Sequence, residues 1–300
     1  MLQDPSFDIA FIGNYTKDII ITTAGTRYFD GGAVNYAAHA AVRLGMKTAV
    51  ITHLAEEDKR MIDGLCAAGV VCFPRYTQHS TNITLEYPSA DPDIRNLSIT
   101  HVADPLQPSE LDPINAAWVV VGSSLRGEVG LDVIKKAKAA GCKIGLDVQG
   151  FVRVLRGQDL RYEPWDEMAE ILSHVDILKS DAVEAEFLTG KTNIREAAKF
   201  YADLGPSEIV LTHRDGLLIY ADGVCYDRSF HPETLIGRSG RGDTCLGSYI
   251  SSRLDKSPDQ AATFAAAVTS LKMEKPCPYD RTPVELQAFI QKWYNPVSAD

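Results

Sequence analysis

Apolar residues fall in short continuous runs separated by longer stretches of helical period. FDIAFIG (7–13), KTAVITH (47–53), AAWVVVG (116–122), CKIGLDV (142–148), VDILK (175–179) and SEIVLTH (207–213) are hydrophobic on both faces of an extended chain. Such runs predict strands of a parallel sheet covered on either side. Between them, AVNYAAHAAVRLG (33–45), EEDKRMIDGLCAAG (56–69), EVGLDVIKKAKAAG (128–141) and REAAKFYADLG (195–205) read as helices closed by glycine, the residue that tolerates the left-handed turn at a helix end. The alternation predicts an α/β fold built on a doubly wound, mostly parallel sheet. Ligands of such a sheet gather at the carboxyl ends of its strands.

One region breaks the pattern. From Tyr76 to Asp104 two β-rich runs flank a turn containing Pro88, Asp91 and Pro92, which predicts a hairpin standing off the main sheet. Residues 18–30 supply further strands to the same small sheet. The expected organisation is one domain over 1–300, with a small β lid from about 14–30 and 76–104. No linker, repeat or low-complexity tract divides it. The last third reads as helix, with SPDQAATFAAAVTSLKM (257–273) and TPVELQAFIQKW (282–293). Its alanine-rich face implies close helix packing.

Composition narrows the partners. The 300 residues carry 30 Lys plus Arg against 40 Asp plus Glu, a formal net charge of -10. That surplus repels phosphate backbones and anionic lipid, so neither nucleic acid nor a membrane is an expected partner. Six scattered cysteines form no C-x-x-C pair, and the histidines have no metal-ligand spacing. Reduced thiols, no zinc site and a cytoplasmic location are therefore expected. The N-terminal stretch has no basic residue before Lys17 and does not read as a signal peptide.

The sharpest chemical signal is IGRSGRGDTCLGSYISSRL (236–254). Gly237, Gly240 and Gly242 precede an apolar-periodic helix expected to begin about Asp243. A glycine-rich turn opening a helix gathers free N–H groups and the positive end of the helix dipole. Arg238 and Arg241 add charge, making an anion cradle in an acidic chain. Neither the Walker A pattern nor the dinucleotide glycine pattern is present. An Asp in a first helical turn is ordinarily a cap. Beside an anion cradle it has a second use, because phosphoryl transfer needs donors for the phosphate oxygens and a base for the attacking hydroxyl.

These residues carry a resemblance. GRSGRGDTCLG is similar to the second signature of the PfkB (ribokinase-like) carbohydrate kinases, D-T-x-G-A-G-D-x-F-x-G. GGAVNYAAHAAVRLG (31–45) resembles the first, G-G-x-x-x-N-x-A-x-x-x-x-x-L-G, and the order and separation agree. Within the family, GLDVQGFVRV (145–154), GRSGRGDTC (237–245) and FAAAVTSLKMEKPCP (264–278) look like the myo-inositol kinase-like subgroup of bacteria and archaea.

The resemblance implies an ATP- and Mg2+-using kinase of a neutral polyol or sugar, myo-inositol first, acting as a monomer or homodimer. It places Asp243 as catalytic base and Gly240, Arg241 and Gly242 as the anion hole. Asp18, Gly32, Asn35, Gln149 and Arg153 match substrate-contacting positions. Lys179, Asp181 and Glu184 in KSDAVEAEFLTG, with Thr212, Arg214 and Gly216 in THRDG, fall where the family binds its nucleotide. Glu184 matches the glutamate of N-x-x-E, which helps place magnesium through water. Four places depart from the pattern: Gly237 for the leading Asp, Asp181 for the Asn of N-x-x-E, Arg241 for a small residue, and THRDG (212–216) where the family often has T-x-G-x-x-G. A nucleoside or hexose kinase, or a non-catalytic sugar- or nucleotide-binding relative, are the alternatives. No aromatic platform for a base is evident in sequence beside the substrate positions.

Without the resemblance several of these residues have ordinary readings. Asn35 can be a buried polar staple, Asp18 a turn residue, Glu184 part of a solvated helix face, Arg153 a surface cation and Cys245 simple packing.

Overall fold

The structure, a computed structural model, describes residues 6–88 and 96–295. Its strands are β1 (Phe7–Ile12), β2 (Thr16–Thr22), β3 (Gly25–Gly31), β4 (Thr48–Ala55), β5 (Val71–Thr77), β6 (Thr81–Glu86), β7 (Asn96–His101), β8 (Ala116–Val121), β9 (Lys143–Asp147), β10 (Arg153–Arg156), β11 (Asp159–Tyr162), β12 (Ile177–Asp181), β13 (Glu208–Thr212), β14 (Gly216–Ala221) and β15 (Val224–Ser229). Its helices are α1 (Ala33–Arg43), α2 (Arg60–Ala67), α3 (Leu131–Ala139), α4 (Gln149–Val152), α5 (Met168–Leu172), α6 (Ala182–Thr189), α7 (Ile194–Ala202), α8 (Arg241–Arg253), α9 (Pro258–Met273) and α10 (Pro283–Trp293).

The larger sheet has the order β15-β14-β13-β12-β9-β8-β1-β4-β5. Neighbours from β5 to β13 are parallel, and β14 and β15 close one edge as an antiparallel hairpin. The continuous hydrophobicity has a direct cause. Along β1, Ala10 and Ile12 join a core shared with α3, α5 and α7, while Ile9 and Phe11 join the opposite core under α1, α8 and α9. Alternate side chains point to opposite faces, so a sheet buried twice needs apolar residues at every position. Glycines 45, 69, 141 and 205, which end the predicted helices, all have positive φ.

Strand order reverses at β1, whose neighbours are β4 on one side and β8 on the other. The two strand ends touch there: a Cβ on Gly13 would lie 2.2 Å from the Gly122 carbonyl oxygen. This is the topological switch point where a doubly wound sheet opens its crevice.

The smaller sheet has the order β10-β11-β7-β6-β2-β3. Two of its hairpins come from the off-sheet segments read in the sequence. The third, β10–β11, does not, and it makes Arg153 the first residue of a strand. Tyr76 belongs to β5 of the larger sheet, and the small sheet resumes only at Thr81. Asp91 and Pro92 of the expected turn lie outside the described residues. A thin core of Ile83, Ile99 and Leu125 supports this sheet. Capping boxes with proline in the first turn start α9 at Ser257 and α10 at Thr282, as their sequences predict. Among the described residues no helix is long and apolar enough to cross a membrane.

Candidate active site

The helix α8 begins at Arg241, not about Asp243. Gly240 is its N-cap, with φ of 70°. Only glycine fits there, both for that angle and because a Cβ would lie 2.2 Å from the ring of Tyr36 on α1. Further along, a Cβ on Gly247 would come within 2.8 Å of the Ala37 carbonyl oxygen. Missing side chains thus let α1 and α8 cross closely and bring their N-termini together.

The first turn of α8 leaves backbone N–H groups open. The Arg241 N–H already donates to the Arg238 carbonyl (3.2 Å) and that of Thr244 to Gly240 (2.9 Å). The N–H groups of Gly242 and Asp243 have no backbone acceptor among the described residues. Within the Gly240–Gly242 span read in the sequence, the Arg241 N–H is the one engaged in a backbone bond among the described residues, and Asp243 adds a further open donor. Arg241 is half-buried, and its charge acts on His213 and Cys245.

Beneath the turn lies a buried charge network. A Cβ on Gly242 would meet Lys179 Nζ at 2.6 Å, so glycine makes room for that ammonium. Lys179 stands 2.8 Å from Asp147 Oδ2, with both side chains almost fully buried. Burial works against the lysine's charge, but Asp147, Glu184, Asp181 and Asp243 around it raise its proton affinity well above the ordinary value. It stays an ammonium. Asp147 was not singled out in the sequence, although a carboxylate ending the apolar run CKIGLDV was the available signal.

Asp243 retains partial solvent access. Desolvation, then the neighbouring Asp147 charge, pushes its carboxyl up to about 6, against the pull of Lys179, Arg153 and Lys272. A base with that affinity is ionised at neutral pH and still able to take a proton.

On the acceptor side, Asp18 projects from β2 and is nearly buried. It accepts from the Thr16 hydroxyl at 2.7 Å. Burial raises its pKa to about 7; the Thr16 bond opposes this, while Asp243 and Asp30 add to it. The mutual effect of Asp18 and Asp243 places the two carboxylates in one electrostatic neighbourhood. Gly32 caps α1 with φ of 93°, and a Cβ there would touch the Asn14 carbonyl at 2.9 Å. Asn35 directs its amide to the Asp30 carbonyl (2.9 Å). Gln149 begins α4 with its N–H held by Asp147 Oδ1 (3.0 Å).

Arg153 is largely buried and lies 3.7 Å from Glu184 Oε1, so it is no surface cation. Asp181 and Glu184 form a capping box on α6, at 2.8 and 3.0 Å. Glu184 Oε1 is buried without a hydrogen-bond partner. Among the described residues no three His, Cys, Asp or Glu side chains are grouped to hold a metal. The orphaned Glu184 Oε1 would fit a water carried by a magnesium ion held on phosphate. Thr212 ends β13, buried. Arg214 is exposed in the following turn. Gly216 begins β14, where a Cβ would lie 2.3 Å from the Arg228 carbonyl oxygen across the hairpin.

Beyond Tyr36 a cleft of about 310 Å³ is lined by Tyr28, Phe29, Asn35, Tyr36, His39 and Cys277 among others. Aromatic surface does therefore stand beside Asn35, contrary to the sequence reading. It was illegible because Tyr28 and Phe29 sit on a strand paired across from Asp18 and Ile19.

Comparison with known proteins agrees with this geometry. The chain is similar to a pyrophosphate-dependent kinase in the ribokinase family solved with sulfate, at 34% identity and a TM-score of 0.87 over 93% of this chain and 99% of that one. A pyrophosphate-dependent kinase of the same family complexed with a pyrophosphate analogue and myo-inositol matches at 33% identity and 0.86, again over 93% and 99%. The cytidine kinase of Thermococcus kodakarensis is 24% identical over 81% of this chain and 87% of its own length. The model of the pfkB family carbohydrate kinases matches residues 5–284. The chain is a kinase belonging to that family.

Proposed function

We propose that this kinase phosphorylates a hydroxyl of a neutral polyol, myo-inositol, with pyrophosphate as the donor. The family resemblance by itself implies ATP; the relatives above 30% identity favour the smaller donor. The observation that carries the reading is Arg241 as the first residue of α8, in the same turn as the open Gly242 and Asp243 N–H groups. Pyrophosphate has no nucleoside to bind, so its affinity must come from charge on its oxygens. A guanidinium where the family has a small residue supplies such charge.

In this reading Asp243 takes the proton of the attacking hydroxyl. The acceptor oxygen bonds to phosphorus as the bridging P–O bond breaks, and inorganic phosphate leaves. The Gly242 and Asp243 N–H groups and Arg241 hold the transferring group. Magnesium, when bound, offsets phosphate charge, with Glu184 orienting its water. Asp18, Asn35, Gln149 and Arg153 meet the acceptor, Asp18 accepting from its hydroxyls and Arg153 donating. The small sheet acts as a lid of a single-domain enzyme. One feature favours nucleosides instead: the cleft walled by Tyr28, Phe29 and Tyr36 suits a base, and a cytidine kinase is among the relatives.

Initial rates with pyrophosphate or ATP, each with magnesium, against myo-inositol, ribose, fructose and cytidine decide among these. Fastest turnover is expected for myo-inositol with pyrophosphate. Preference for ATP overturns the donor, and preference for cytidine overturns the acceptor.

A further inference from the structure

Lys272, at the last turn of α9, is 1% exposed. Its ammonium donates to the Ser239 carbonyl, directly before the Gly240 cap. It also lies over the Tyr36 ring, 5.0 Å from the centroid, and that same ring is what Gly240 packs against. A buried lysine is costly unless something uses its charge. Here one ammonium joins three elements, α9, α1 and the turn that opens α8. It also faces Asp243, whose ionised form it favours.

We infer that Lys272 is a positioning residue for phosphoryl transfer. Its ammonium fixes the Ser239–Gly240 turn so that the free N–H groups of Gly242 and Asp243 converge on the transferring phosphate. It acts through the backbone and touches neither substrate. The inference rests on the family's phosphoryl transfer, not on the choice of donor or acceptor.

The charge is conditional. Desolvation lowers the Lys272 pKa to about 8, and Asp243 and Cys277 pull it back up. The charged or titratable groups that face it are Asp243 on α8, Cys277 in the turn after α9 and the phenol of Tyr36 on α1. Loss of its proton above about 8 removes the charge-assisted part of the Ser239 bond and the contact with the Tyr36 ring, the hold on the turn weakens, and kcat falls on the alkaline side.

The test compares wild type, Lys272→Arg and Lys272→Met, using whichever donor and acceptor turn over fastest. Donor ionisation is common to all three enzymes and cancels. At pH 7, Lys272→Met is expected to lose roughly 10-fold or more in kcat with acceptor KM little changed. Lys272→Arg keeps most of the activity and moves the alkaline limb up by a unit or more, because a guanidinium holds its proton. Should Lys272→Met not fold, the arginine profile decides alone. An alkaline limb at the same pH in Lys272→Arg overturns the inference, as does a folded Lys272→Met with wild-type kcat. Failure of pyrophosphate or myo-inositol in the substrate panel leaves this comparison intact.

Discussion

The two sheets hold two carboxylates of similar affinity in contrasting settings. Asp243 stands on a long helix packed over the larger sheet, with every residue from Thr244 to Ser252 buried. Asp18 stands on the smaller sheet, on a strand whose buried positions are Thr16 and Asp18 and whose isoleucines are half-buried. The first setting is rigid on both sides, as precise aim at phosphorus requires. The second belongs to a sheet with a far smaller core of its own. On the function proposed above, chemistry falls to the thick sheet and acceptor recognition to the thin one.

The largest effect expected is that of Asp243→Asn. The amide keeps the shape and removes the proton acceptor, so kcat should fall roughly 10²–10⁴-fold with acceptor KM almost unchanged. In wild type, kcat should decline as pH drops through about 6, where the base becomes protonated. Turnover near normal in the variant, or a flat acid limb, removes Asp243 from the role of base.

Arg241→Ala comes next. Because Arg241 shares a turn with the open Gly242 and Asp243 N–H groups, its loss should lower kcat roughly 10–10²-fold and weaken the donor less. A raised donor KM with kcat unchanged, measured by steady-state kinetics, would assign it to uniform binding only.

The contrast between the sheets also explains what was readable in the sequence. Strands β1, β4, β8, β9, β12 and β13 are local statements, since burial on both faces forces unbroken apolar runs. The turn at 237–243 is equally local, because glycines and a helix start are adjacent in sequence. β10 and β11 were not readable: at an edge of the thin sheet, Arg153, Arg156, Asp159 and Arg161 interrupt any apolar period, and Gly157 was the one turn signal. Lys272 hid for another reason. A lysine in the last turn of a helix is what the dipole favours anyway, and only the fold brings it to Ser239. The Lys179–Asp147 pair joins neighbouring strands distant in sequence, so periodicity has nothing to say about it.

Asp18→Asn should act on recognition. Acceptor KM is expected to rise roughly 10-fold with a smaller change in kcat, since one hydroxyl loses a charged partner. Stability should move the other way. A carboxyl whose folded pKa is about 7 against 3.8 unfolded binds its proton more tightly when folded. That favours the folded state at low pH, and the advantage is lost as pH rises from about 4 to about 7. Asp18→Asn should therefore be more stable than wild type at pH 8, on the order of 1–3 kcal/mol, with little difference at pH 4. Melting curves at the two pH values check it, and a variant less stable at pH 8 would contradict the burial argument.

The smallest effect tests the premise that the thin sheet opens on its own. Ile99 is 1% exposed at the centre of its core. Ile51 is equally buried in the larger sheet. Ile→Val removes one methylene at either place, about 0.5–1.5 kcal/mol. If the whole chain opened as one unit, both variants would speed exchange of all slow backbone amides alike. If the small sheet opens separately, Ile99→Val should accelerate exchange in β2, β6 and β7 roughly 2- to 12-fold. Amides of β1 and β8 should keep their wild-type rates. Ile51→Val should then alter the global transition instead. Hydrogen exchange followed by mass spectrometry resolves these segments. Uniform acceleration in Ile99→Val would mean that Asp18 is held as rigidly as Asp243, and the division of labour would have to rest on chemistry alone.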